Sequence, residues 1–188
     1  MADENTVTFR RYSAAEARNL RDMVAQIHDD AYAERIKTGD PFGVTEAFMR
    51  RFDAYASRDG FDLLVASVDG SPAGQAWGWP LGPESTWWRG IRGEMEAGFT
   101  DEDGTRTFAL SEIMVRRPFT GRGIAHALHD ELLGGRKEKR ATLLVNPNNK
   151  KAYQAYLKWG WRKVAKLRPD WPNSPVFDVL MLDLPITY

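Results

Sequence analysis

The residues best suited to chemistry flank a Gly-x-Gly turn, Gly121-Arg122-Gly123. Before it, Phe108, Leu110 and Met114 alternate with smaller residues and Ile113-Met114-Val115 is apolar throughout, the pattern of a buried strand. After it, Ile124, Ala125, Leu128 and Leu132 recur on one helical face. A helix that starts there leaves backbone N–H groups without partners inside the helix. With the helix dipole these groups make an anion site suited to phosphate, and glycine lets the chain approach it without a Cβ in the way. The same turn also occurs between strands and helices with no ligand, so by itself it leaves both readings open. No Gly-Lys-Ser/Thr follows, so it is not a Walker loop, and the third glycine and later acid of a dinucleotide fingerprint are missing. His126 and His129 sit on the early turns of the helix, toward its polar face; no third ligand is spaced to join them, which predicts solvated histidines and no metal.

Composition removes several function classes. Basic and acidic residues number 26 each, so the chain lacks the basic surface of a general nucleic-acid binder. No apolar run nears the roughly 18 residues of a membrane span. The start, Met1-Ala2-Asp3-Glu4-Asn5, is polar and acidic, unlike a secretory signal. There is no cysteine, which excludes disulfides, thiol nucleophiles and cysteine metal sites. A cytoplasmic protein, monomeric or homodimeric, fits these features. At 188 residues and 43% hydrophobic content, one domain over residues 1–188 is expected.

The elements that must position the turn can be read in order. Residues 6–11 form a first strand. Ser13-Ala14-Ala15-Glu16 is a capping box before a helix whose inner face is Leu20, Met23, Val24 and Ile27, with His28 half-exposed near its end. Gly39, Pro41 and Gly43 interrupt the pattern, and Thr45 can cap a second helix that buries Phe48, Phe52, Tyr55 and Ala56. Residues 61–68 and 73–79 form a hairpin about Asp69-Gly70. Residues 81–106 are a long connection with a short helix expected near 89–97; Trp87 and Trp88 lie beside an acidic group of Glu94, Glu96, Asp101, Glu102 and Asp103. This stretch reads either as a solvated loop or as a lid for a cationic substrate. The central strand and helix follow, the helix stopping at Gly134-Gly135, and 136–140 is a charged link that reads either as a solvated turn or as a segment near a phosphate. Residues 141–145 are a buried strand. Asn149 caps a helix with Ala152, Tyr153, Tyr156 and Trp159 inward, Gly160 ends it, and 161–167 and 176–184 are the last strands. Two helices and a hairpin ahead of the central unit indicate an α/β (α+β) fold rather than a regular βαβ array.

Residues 108–167 resemble the GNAT superfamily of N-acetyltransferases. The family's acyl-CoA motif, Gln/Arg-x-x-Gly-x-Gly/Ala, is matched by Thr120-Gly121-Arg122-Gly123-Ile124-Ala125. Its second signature, Asn-x-x-Ala-x-x-x-Tyr running to Gly-Phe, is matched by Asn149-Lys150-Lys151-Ala152-Tyr153-Gln154-Ala155-Tyr156 and Gly160-Trp161. The resemblance implies a single domain whose mixed, mostly antiparallel central sheet is flanked by helices and splayed between its fourth and fifth strands. It implies acetyl-CoA as co-substrate. The amides of Gly121, Arg122, Gly123, Ile124, Ala125 and His126 would cradle the pyrophosphate. Pantetheine would pair with the backbone of Ile113, Met114 and Val115, with a backbone N–H near Val115 polarising the thioester carbonyl, and Asn149 would bond the pantetheine arm. The first motif position is Thr120 instead of Gln or Arg, so one hydroxyl replaces a long side chain and Arg122 or Arg117 is left to supply charge.

Amine acetylation needs a base and an acid. Glu112 shares a strand face with Leu110 and Met114, where burial raises a carboxylate's pKa toward neutrality, and is the candidate base. Tyr156, by its place in the second motif, is the candidate acid for the departing thiolate. The expected reaction is transfer to a primary amine of a small, cationic acceptor, with Trp87, Trp88, Glu94 and Glu96 as its candidate binding residues. The alternatives are a protein lysine or N-terminal acetyltransferase and a silent CoA-binding regulatory module.

Overall fold

The computed structural model describes residues 6–188, so the N-terminal pentapeptide lies outside the described residues. The described residues divide into two compact units, those within 1–79 and 112–132 and those within 80–111 and 133–188.

In the first unit β1 (Val7–Ser13) runs antiparallel to β2 (Asp62–Val68), and β2 runs antiparallel to β3 (Ser71–Pro80). Asp69 and Gly70, with φ of 49° and 79°, form the hairpin turn, and both positive values match the twist that a two-residue connection needs. The C-terminal half of β5 (Thr107–Val115) lies next to β3. A Cβ on Gly74 of β3 would fall 2.8 Å from the Met114 carbonyl oxygen, so this approach requires glycine. Ser13 caps α1 (Ala14–Arg18) in the capping box expected, but the helical run then breaks before α2 (Arg21–Ala31). After α3 (Ala33–Lys37), α4 (Thr45–Tyr55) has Val44 at its N-cap position; the Thr45 hydroxyl bonds Asp29 rather than capping the helix. His28 is buried, not half-exposed, because its ring stacks on Phe48 at 3.8 Å. Phe48, Phe52 and Trp77 form the centre of this core. A short 3-10 turn (Arg117–Phe119) and Gly121 and Gly123 lead into α5 (Ile124–Leu133).

In the second unit the N-terminal half of β5 lies beside β6 (Arg140–Val145), followed in order by β8 (Phe177–Asp183), β7 (Arg162–Leu167) and the two-residue β4 (Ile91–Arg92). All pairs here are antiparallel except β5 with β6. That parallel ladder ends after three pairs, Thr107–Arg140 to Ala109–Thr142, while β6 stays paired with β8 along its whole length. This early end is the splay expected between the fourth and fifth long strands, which are β5 and β6 once the short β4 is counted. Asn149 caps α6 (Lys150–Lys158) by accepting from the Ala152 N–H, and Gly160 (φ 92°) ends it.

The helix expected near 89–97 does not form. Gly90 and Gly93 have φ of 80° and 111°, and Ile91 and Arg92 pair with Leu167 and Lys166 of β7 instead. The 136–140 link is solvated only in part: Lys137 and Lys139 are exposed, whereas Glu138 is buried and pairs with Arg136, whose guanidinium lies 4.0 Å over the Phe108 ring. Among the described residues no helix is long and apolar enough to cross a membrane.

Candidate active site

The sequence-predicted residues fall in both units, and each group is described in its own. In the first, β5 ends with Glu112 and the run Ile113, Met114 and Val115, after which the chain turns into the Gly-x-Gly segment. Gly121 and Gly123 have φ of 77° and 76°, and an added Cβ at either would meet no atom within 4 Å. The turn is therefore open on its outer side as well as conformationally glycine-dependent. Ile124 begins α5, so the amides from Gly121 to His126 lie at a helix N-terminus, which suits an anion as large as a pyrophosphate. Thr120 offers little to it, because its hydroxyl donates to the Arg117 carbonyl at 2.9 Å. Arg117 pairs with Glu34 and Arg116 with Asp30, while Arg122 lies 5.6 Å over the Phe119 ring.

Glu112 is half-buried, and among the described residues it has no hydrogen-bond or ion-pair partner. Burial raises its pKa from 4.5 to about 7, and the positive charges of Arg51 and Arg35 oppose that rise. A carboxyl that titrates near neutrality can exchange a proton at the pH at which an enzyme works. Neither arginine stood out in the sequence; both lie on helices that carry no motif, and only the fold brings them near β5.

His129 is fully buried rather than solvated, with its Nδ1 2.8 Å from Asp130, and its pKa is lowered by burial. His126 Nε2 lies 3.5 Å from the same carboxylate. The three ligand atoms lie within 4.8 Å of one another, so Asp130 supplies the third group that the spacing of the histidines had not suggested. These residues could hold a metal ion.

The second unit carries the other motif. Asn149 uses its side-chain oxygen as the α6 cap. Tyr156 packs edge-on against Trp159 and Trp161, at 5.6 and 6.0 Å. Its neighbour Tyr153 donates to Asp178 at 2.8 Å, and burial followed by that bond pushes its pKa up to about 12. Tyr153 is therefore committed to the fold.

The acidic and aromatic loop divides in two. Trp88 is buried; its indole N–H donates to Glu102, its ring lies 5.3 Å from Phe99, and the Arg140 guanidinium lies 5.8 Å over it. Trp87 is half-buried, whereas Glu94 and Glu96 are exposed. Glu94 lines an open depression of about 560 Å³ together with Arg92, Lys163 and Lys166. That surface carries three cations to one carboxylate.

The glycine turn and helix start that follow β5 are those the sequence resemblance implies. The sequence model of the Acetyltransferase (GNAT) family matches residues 22–161. The chain belongs to that family and is an acyltransferase. No curated protein matches it by sequence. Solved structures share the fold at low identity. A GNAT acetyltransferase from Streptococcus agalactiae is 17% identical with a TM-score of 0.68, covering 94% of this chain and 95% of that one. The ribosomal-protein-S18-alanine N-acetyltransferase of Escherichia coli is 14% identical with a TM-score of 0.63, covering 97% of each. The PaiA N-acetyltransferase of Thermoplasma acidophilum, in complex with coenzyme A, is 13% identical with a TM-score of 0.54, covering 95% and 99%.

Proposed function

We propose that residues 1–188 act as one domain that transfers the acetyl group of acetyl-CoA to the primary amine of a small acceptor. The observation that carries this reading is Glu112, a carboxyl without a hydrogen-bond or ion-pair partner among the described residues, whose pKa burial raises to about 7, on the strand that leads into the glycine turn. A silent CoA-binding module has no use for such a group. The family match spans parts of both units, which supports a single functional domain, and the CoA-bound relative supports acetyl-CoA as the co-substrate.

In this reading the amides of residues 121–126 hold the pyrophosphate, the backbone of 113–115 pairs with pantetheine, and Asn149 bonds the arm. Glu112 accepts a proton from the acceptor's ammonium, directly or through a water, and frees the lone pair that attacks the thioester carbon. A backbone N–H near Val115 stabilises the oxygen that becomes negative. As the carbon–sulfur bond breaks, Tyr156 gives its proton to the thiolate. The nitrogen, positive after its attack, loses its second proton as it becomes the amide, which restores the tyrosine, and Glu112 returns its proton to solvent. The amine arrives as a cation, which keeps the small, cationic acceptor of the sequence reading. Its proposed seat is beside Glu112, the group that takes its proton; Trp88 is buried in packing.

The test is release of free CoA thiol from acetyl-CoA over a panel of primary amines. Amine-dependent release that Glu112→Gln reduces at least a hundredfold is expected, within the range for general acid–base catalysis. Tight CoA binding without release for any amine would overturn the catalytic reading.

A further inference from the structure

The surroundings of Glu112 within the first unit are positively charged. Arg51, on α4, has its guanidinium 3.7 Å from the centre of the Phe42 ring. Arg35, on α3, approaches the same ring at 6.0 Å and the Tyr32 ring at 6.0 Å. The two arginines differ in what holds them. Arg35 is bonded to Asp40, and its stem lies against Gly43, where an added Cβ would come within 3.2 Å of it. Arg51 is half-buried, and among the described residues it has no carboxylate at ion-pair distance and no hydrogen-bond acceptor. Its helical neighbour Arg50 is paired with Glu46. Phe42 is 40% exposed, a large apolar surface to leave open beside two guanidiniums.

A half-buried guanidinium without an acceptor loses hydration that stacking on a ring replaces only in part. Here burial depresses the Arg51 pKa and the charge of Arg35 adds to the fall, while Glu112, Tyr55 and Asp40, itself bonded to Arg35, act against it. Glu112 answers only part of that positive charge, since it is a neutral acid for much of the time near pH 7. The missing partner is an anion. A guanidinium stacked on a ring keeps its edge free, and that edge matches a carboxylate or phosphate with two parallel N–H···O bonds.

We propose that Arg51, supported by Arg35 and seated on Phe42, is the acceptor-recognition site, and that the acceptor is a small primary amine bearing a carboxylate or phosphate. This inference rests on the proposed function: the amine end reaches Glu112 and the anionic end reaches Arg51. The acceptor is then a zwitterion, cationic where it reacts and anionic where it is held.

The experiment compares matched acceptors in the thiol-release assay with the full-length protein. Free α- and ω-amino acids and aminoalkyl phosphates are set against the same amines with the anionic group removed or converted to an amide. We expect an advantage of at least tenfold in kcat/KM for the best anionic acceptor over its neutral counterpart, carried mainly by KM. In Arg51→Met that ratio should fall below threefold, and Arg51→Lys, which keeps the charge but not the fork, should lie between. Circular dichroism and CoA binding report whether each variant is folded; if Arg51→Met is not, Arg51→Gln replaces it on the same criterion. Amines acetylated with no preference for an anionic group would overturn the inference and leave the proposed function standing. So would a preference that survives the loss of Arg51. If carboxylates and phosphates differ, the larger ratio names the anion. Failure to acetylate any amine would overturn both.

Discussion

At the scale of single residues, Glu112 makes opposite demands on stability and activity. Its folded pKa of about 7 lies above the ordinary 4.5, so the fold favours the protonated form. The stability it contributes is therefore full below pH 4.5 and is lost as pH rises through 7. Activity runs the other way, because the base must be ionised. The rate should fall as pH drops below about 7, and Glu112→Gln should abolish that limb together with most of the rate. At pH 8 the same variant should be the more stable protein by about 1 kcal/mol, after discounting for a half-buried site, with the gap closing toward pH 4.5. Urea melts at the two pH values measure this; a variant less stable at both, with its pH limb intact, would make Glu112 structural. Arg51→Met should move the limb to higher pH, since a charge that favours the carboxylate is gone. For the acid, Tyr156→Phe should reduce turnover at least tenfold with CoA affinity nearly unchanged, while Tyr153→Phe should act mainly on stability through Asp178. A loss under threefold in Tyr156→Phe, with chemistry shown to be rate-limiting, would return that residue to packing.

At the scale of elements, the strand, turn and helix about Gly121 and Gly123 were legible because each depends on short-range rules: apolar runs, glycine where φ is positive, and a helical apolar face. The capping box at Ser13, the Asp69-Gly70 hairpin and the Asn149 cap were legible for the same reason. What could not be read is set by distant partners. Two residues become β4 only because β7 lies beside them, and His28 is buried only because Phe48 arrives from another helix. The glycine turn yields its own prediction. In Gly123→Glu, a side chain and a negative charge enter the anion site on a backbone with φ of 76°. Left-handed conformation costs an L-residue about 1–2 kcal/mol, a fall of roughly 2–8 °C in Tm for a chain of this size. Calorimetry should therefore show a folded protein that no longer binds CoA. Unchanged affinity in the folded variant would remove the pyrophosphate from this turn.

At the scale of the whole molecule, formal neutrality hides an uneven use of charge. The carboxylates of residues 94–103 read as one acidic cluster, yet only some of them face solvent. The Glu102 side chain is 2% exposed and its Oε1 accepts from Trp88 Nε1 at 3.1 Å, from Thr107 Oγ1 at 2.7 Å and from Arg140 Nη2 at 3.2 Å. Arg140 also donates to Thr107 Oγ1 and to the Phe99 carbonyl, and it lies 4.7 Å over the Phe99 ring. One carboxylate thus ties the long 81–106 connection to β5 and β6. The sequence could not show this, because the partner arrives from a charged link 38 residues away. Removing one member of a buried ion pair leaves the other charge without compensation and costs about 3–5 kcal/mol. Glu102→Ala should therefore destabilise the protein by about 3 kcal/mol in urea melts, and limited proteolysis should cut first within 81–106. Glu96→Gln, at an exposed position, should change stability by less than about 0.5 kcal/mol. If Glu102→Ala costs under about 1 kcal/mol and leaves the connection resistant to protease, the order of that stretch has another source, and the packing of Trp88 and Phe99 is the first place to look.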